Sequence, residues 1–170
     1  LLGACSGRTA IPRPSKALAV EEPAASPGGM EARVLVQQRA VEAFFAAPMP
    51  RPYAIRVRAT RKAMEAFAAE TWKLPELPCW AVAMGTGTTL LLLDPASWKT
   101  EACDHAGDGP AEVDRVIAHE LVHVFHGQHR PDDVELEKAE EVGWFVEGLA
   151  TYAAGQLDEA RLAQAAALVA

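Results

Sequence analysis

The chain lacks any apolar run long enough to cross a bilayer. The stretches Cys79 to Met84 and Ala165 to Ala170 are among its longest, and a spanning helix needs about 20 residues. Basic charge is also in short supply: 16 Lys and Arg stand against 23 Asp and Glu, a net charge of −7. That balance argues against a nucleic-acid binder, which carries a basic face. Aromatic residues make up only 6%, too few for a base-stacking surface. No internal repeat is visible. What remains is an ordinary globular composition, 50% hydrophobic and 23% charged over 170 residues. A chain of this length buries a sizeable core and fits one domain, or one domain with tails.

Cysteine is scarce too. Cys5, Cys79 and Cys103 are odd in number, so one of them is free, modified or paired between chains. Cys5 stands in "LLGACSG", which resembles a bacterial lipobox in which Leu2-Gly3-Ala4 precedes a lipidated cysteine. The plain alternative is a small-residue tail. Residues 6–29 hold four of the twelve prolines, three serines and Gly28-Gly29, a tether-like composition. The expected organisation is therefore a lipobox remnant and tether over 1–29 and a domain over 30–170 that continues past Ala170 in the native protein. With Cys5 lipidated, the chain belongs in the bacterial cell envelope, where Cys79 and Cys103 stand either as a disulfide across a hairpin or as two thiols.

Periodicity gives the elements. "MEARVLVQQRAVEAFFAA" repeats apolar residues at helical spacing (Val34, Val41, Phe44, Phe45) until Pro48. In "YAIRVRA", Ile55, Val57 and Ala59 alternate with Arg56 and Arg58, a half-buried strand with a solvated arginine face. "RKAMEAFAAETW" reads as a helix with Thr60 as N-cap. "CWAVAMGTGTTLLLLDP" reads as two strands joined at Gly85-Thr86-Gly87, the second covered on both faces because Leu90 to Leu93 are all apolar. Residues 99–111 read as loop and 112–127 as a helix ending at Gly127. A polar loop leads to a helix over "EEVGWFVEGLATYAAGQL" and a third, alanine-rich one over "DEARLAQAAALVA".

The helix over 112–127 carries "HELVH". Positions four apart lie about 40° apart around a helix and about 6 Å along it. His119 and His123 therefore share a face and can reach one ion. Glu120, rotated roughly 100° from His119, is placed to touch a water on that ion as general base. This is the chemical sense of the H-E-x-x-H pattern. A catalytic zinc site needs three protein ligands and an open position. His129 lies at the six-residue offset that one extended pattern requires. That pattern's glycine is displaced, however: His126 takes its place and Gly127 comes one residue late.

HELVH followed by a helix bearing "WFVEGLATY" resembles the gluzincin zinc metallopeptidases, close to the peptidase MA-like group. The matching residues are His119, Glu120, His123, Trp144, Phe145, Glu147, Gly148, Ala150 and Tyr152. The resemblance implies zinc held by His119, His123 and Glu147, with Glu120 as the catalytic base. It implies an α+β zincin-like fold, a small mixed sheet packed on helices, and an edge strand within 80–94 that pairs with a peptide substrate. Phe145, Leu149 and Tyr152 are expected to pack the second helix on the first, and Gly148 and Ala150 to keep the approach close. Tyr152 reads as core packing before oxyanion support. Thr151 departs from the family's acidic residue and is expected to hydrogen-bond a ligand. The expected function is zinc-dependent hydrolysis of peptide bonds. The rival is an inactive, zinc-stabilised envelope lipoprotein that acts as a binding or assembly module, which would close its site with a fourth protein ligand.

Overall fold

The computed structural model describes residues 20–21, 29–74, 76–105, 107, 109–130, 142–157, 159, 162–163 and 166–167. Cys5, most of the expected tether and the polar stretch 131–141 lie outside the described residues, as does much of the alanine-rich segment.

In chain order the described elements are β1 (Val20–Glu21), α1 (Gly29–Phe45), β2 (Ala54–Arg58), α2 (Arg61–Trp72), β3 (Ala83–Thr86), β4 (Thr89–Leu93), α3 (Pro95–Glu101), α4 (Pro110–His129) and α5 (Gly143–Ala153). This is a small α+β fold around a mixed sheet of order β1-β2-β4-β3. β2 and β4 are parallel, and β3 runs antiparallel to β4 at the edge. The two-residue β1 pairs with β2 from inside the stretch expected as tether. None of the described helices is long and apolar enough to cross a membrane.

Register assigns the faces. Ile55 pairs with Leu90, Val57 with Leu92, Gly85 with Leu90 and Ala83 with Leu92, so these residues share one side of the pleat. α4 lies on that side, and Gly85 touches its backbone. Arg56, Arg58, Leu91 and Leu93 share the other side, where the Arg58 guanidinium sits 4.9 Å over the Phe67 ring of α2. The arginine face is thus a helix-packing face, not an open one. Leu90 to Leu93 are all buried because helices cover both sides.

α4 is the central helix, packed against α1, β3, β4 and α5. Its buried residues include Val113, Val116, Ile117, Leu121, Val124 and Phe125. α1 contributes Met30, Val34 and Val41, one stripe at helical spacing. Its buried Gln38 and Glu42 are satisfied: Gln38 Nε2 donates to Glu42 Oε1, and the Tyr53 hydroxyl donates to Gln38 Oε1. Thr60 caps α2 as expected, its Oγ1 accepting from the Ala63 N–H at 3.2 Å.

Three local expectations are corrected. The segment expected to be loop from residue 99 begins inside α3, which Asp94 caps by accepting from the Ala96 N–H and which Pro95 opens. Trp98 anchors α3 in the core, donating Nε1–H to Leu93 O at 2.9 Å. The hairpin turns at Gly87-Thr88, so Gly85 and Thr86 belong to β3 and only Gly87 of the expected joint lies in the turn. Gly127 does not end α4. A Cβ there would lie 2.6 Å from Gly87 N, so Gly127 and Gly87 let helix and hairpin touch backbone to backbone.

Candidate metal centre

α4 and α5 bring His119, His123 and Glu147 together as the sequence anticipates. One donor atom from each lies within 4.8 Å of the other two. His119 Nε2 is 3.2 Å from Glu147 Oε2, and His123 Nε2 is 3.5 Å from Glu147 Oε1. His119 and His123 project one turn apart, ring centroids 4.9 Å apart. Glu147 reaches them because α5 lays its small inner face on α4, with Ala150 fully buried at the contact.

That inner face is the expected one only at Ala150. Phe145 and Tyr152 are exposed, Trp144 is 78% exposed, and Tyr152 packs edge-on to Phe44 outside the core. Gly148 has open space where a Cβ would stand. The helices approach through the small residues Ala150 and Ala154, both buried. Larger residues there would hold Glu147 off the histidines.

The partner of His119 is also not the expected one. Its Nδ1 lies 3.0 Å from Gln156 Oε1, and Gln156 Nε2 donates to Arg115 O. Gln156 follows Gly155, whose φ of +65° turns the chain back after α5. The sequence pointed to Thr151. A glycine just beyond a helix end, followed by an amide side chain, was the available signal.

This contact decides the tautomer. The Gln156 amide oxygen only accepts, so His119 Nδ1 carries the hydrogen. Nε2 then presents a lone pair to the Glu147 carboxylate, and two acceptors face each other at 3.2 Å. Such a pair needs a proton or a cation between its members. The N, N, O donor set is one that a divalent metal, zinc included, accepts. The trio therefore fits a metal ion.

Without an ion, the carboxylate and the imidazoles hold one another. Hydrogen bonds from His119 and His123 keep the Glu147 carboxyl well below the usual carboxylate range. Burial disfavours a charged His123, but Glu147 and Glu120 outweigh it and raise its pKa. Burial pushes the Glu120 carboxyl up, opposed by His123, His119 and a hydrogen bond from the Gly85 backbone. A raised carboxyl beside a metal trio suits proton transfer.

The other two histidines of α4 stand apart. His129 Nδ1–H donates to Phe125 O on its own helix, and its ring stacks on Phe125. His126 packs against Phe45 and Phe125, and burial lowers its pKa. Among the described residues neither belongs to a grouping able to hold an ion.

A cleft of about 290 Å³ opens beside the trio, lined by Trp80 to Val82 ahead of β3, by Ala83 at its start and by His105, Glu120 and Gln156, among others. Two sets of contacts hold its wall: Arg61, which the sequence did not single out, and the cysteine pair, for which it left disulfide and free thiols open. The Arg61 guanidinium donates to the carbonyls of Pro78, Cys79, Ala81 and Glu101. Cys79 and Cys103 are disulfide-bonded, with Cα atoms 5.5 Å apart, joining that wall to the loop after α3. Comparison with protein-family models, curated proteins and solved structures finds no match to the chain.

Proposed function

We propose that the protein is a zinc-dependent peptidase of gluzincin type with a zincin-like fold. The observation that carries this reading is the convergence of His119, His123 and Glu147 beside Glu120 at the head of a cleft. Zinc held by the trio would polarise the scissile carbonyl and acidify an attacking water.

The chain's own residues do the rest. Gln156 fixes the His119 tautomer so that Nε2 faces the ion. Glu120 takes the proton of the attacking water as its oxygen bonds to the carbonyl carbon. It then delivers that proton to the leaving nitrogen as the C–N bond breaks. β3 is an edge strand beside α4, and the segment entering it lines the cleft. An extended peptide added along this edge gains backbone hydrogen bonds with little demand on its sequence. The trio beside an open cleft favours an enzyme over a closed structural site, which would recruit a fourth protein ligand. Placement in the cell envelope, tethered through Cys5, is part of the proposal, and the Cys79–Cys103 disulfide suits an oxidising compartment.

The test is zinc content after dialysis together with hydrolysis of a mixed peptide library. Wild type is expected to hold one zinc per chain and to cleave. Glu147→Ala should retain little zinc, and Glu120→Gln should retain zinc but lose turnover. A wild type without zinc, from protein never exposed to chelator, would remove the basis of the proposal. Turnover surviving in Glu120→Gln would remove Glu120 from its role.

A further inference from the structure

His105 shares the cleft with Glu120 and His119 but takes no part in the metal trio. It comes from the loop between α3 and α4, a segment without a recognisable motif. Its Nδ1 lies 2.9 Å from Glu112 Oε1. A carboxylate only accepts, so Nδ1 carries the hydrogen. The ring packs edge-on to the buried Trp98, centroids 5.3 Å apart.

The loop that presents this ring is fastened at three points. The second oxygen of Glu112 accepts the Gly107 N–H at 3.1 Å. Gly107 has a φ of +68°, and a Cβ there would strike Pro95 O at 2.4 Å, so Gly107 lies against α3. Cys103 is bonded to Cys79 at the opposite wall. The imidazole thus has one nitrogen committed and a fixed plane. Its Nε2 has no partner among the described residues. If the ring only fastened the loop, one donor would be enough.

Glu112 precedes His119 by two helical turns, about 10 Å along the axis of α4. The cleft between them is at the low end of the roughly 300–1,000 Å³ typical of ligand sites. A peptide whose scissile bond lies at the trio and that fills this cleft meets His105, which lines it. In the tautomer set by Glu112, Nε2 offers a lone pair, and the group a peptide brings to meet it is a backbone N–H.

We propose that His105 Nε2 accepts a hydrogen bond from a backbone N–H of the bound peptide, away from the scissile bond, and that Glu112 holds it in place to do so. His105 is a substrate-positioning residue. It forms and breaks no covalent bond. The inference rests on the peptidase reading and adds to it the group that anchors the substrate chain.

The test separates the two. The variant is His105→Asn, whose amide nitrogen replaces Nδ1 and keeps the Glu112 contact while removing Nε2. The probe is a phosphinic pentapeptide of alanine and leucine, with each backbone amide N-methylated in turn. Its binding to zinc-loaded protein is measured by calorimetry. The expected result is about a tenfold loss of affinity in the variant, about what one hydrogen bond contributes. One methylated amide should lose the same factor in wild type and nothing further in the variant, with zinc content unchanged throughout. Wild-type affinity in His105→Asn, or losses that multiply at every amide, would overturn this inference alone. Zinc-loaded wild type that neither binds the probe nor cleaves peptides would overturn the peptidase reading, and this inference with it.

Discussion

Gly85→Ala sets the joint between sheet and metal helix against the chemistry. A Cβ on Gly85 would stand 2.1 Å from the Glu120 carbonyl oxygen, 2.9 Å from its carbon and 3.1 Å from His123 Cβ. Two of these three atoms are backbone and do not rotate away. Restoring ordinary contact means parting β3 from α4 by about 1 Å in an interior packed at crystal density. Overpacking of this kind costs about 1–3 kcal/mol. For a chain of this size, 2 kcal/mol lowers Tm by about 4–8 °C. Turnover should suffer more than stability. Glu120 sits at the point of separation, and the Gly85 N–H that its carboxylate accepts belongs to the strand pushed away. A misplacement of about 1 Å costs on the order of 100-fold in rate. The metal ligands all lie on α4 and α5, so zinc should be retained. The assay is kcat/KM on a cleaved peptide, with zinc content and a thermal melt on the same sample. Gly87→Ala serves as control: its Cβ would meet the Gly127 carbonyl at 2.8 Å, away from Glu120, so Tm should fall with a smaller loss of rate. Wild-type Tm and rate in Gly85→Ala would refute the close approach on which the argument depends.

Gln156→Ala should weaken zinc binding by about 10–100-fold, because His119 loses the group that fixes its tautomer; competition against a chromophoric chelator reads this directly, and unchanged affinity would assign the contact no role. The Cys79→Ser/Cys103→Ser pair opens a loop with a sequence separation of 24 and should cost about 3 kcal/mol, or about 6–12 °C in Tm; a melt identical to wild type would show the cleft wall held without it. Zinc binding should release protons, because the raised pKa of His123 favours the protonated ring and the lone pair must be freed. Zinc affinity then falls as pH drops through that raised pKa. Glu147, held low, adds nothing to this competition. Calorimetry in two buffers of different ionisation enthalpy should show more release below the raised pKa of His123 than above it, and equal release would contradict the sign.

Legibility followed the range of the physics. The elements with a strong local pattern were readable: alternation gave β2, the Thr60 cap opened α2, and the all-leucine run announced a strand covered on both faces. α3 was hidden because it is seven residues long and is held in place by one buried tryptophan, not by a repeating stripe. The aromatic residues of α5 misled for a related reason. Apolar character says that a side chain gains by burial, not that a neighbour is there to bury it, and Trp144, Phe145 and Tyr152 stand exposed while alanines make the contact.

Local spacing is enough to place two of the side chains that can bind an ion. A four-residue spacing on one helix puts His119 and His123 on one face whatever surrounds them, and Glu120 beside them, because helical geometry is local. What completes and orients that pair depends on tertiary packing, and of those groups the resemblance to gluzincins had named Glu147 alone. Glu147 reaches the histidines across a helix pair, Gln156 sets the His119 tautomer after a turn at Gly155, and His105 enters the cleft on a loop fastened by Glu112, Gly107 and a disulfide. The Glu147 and Gln156 contacts and the disulfide join residues 28, 37 and 24 positions apart, so their geometry exists only once the core has packed.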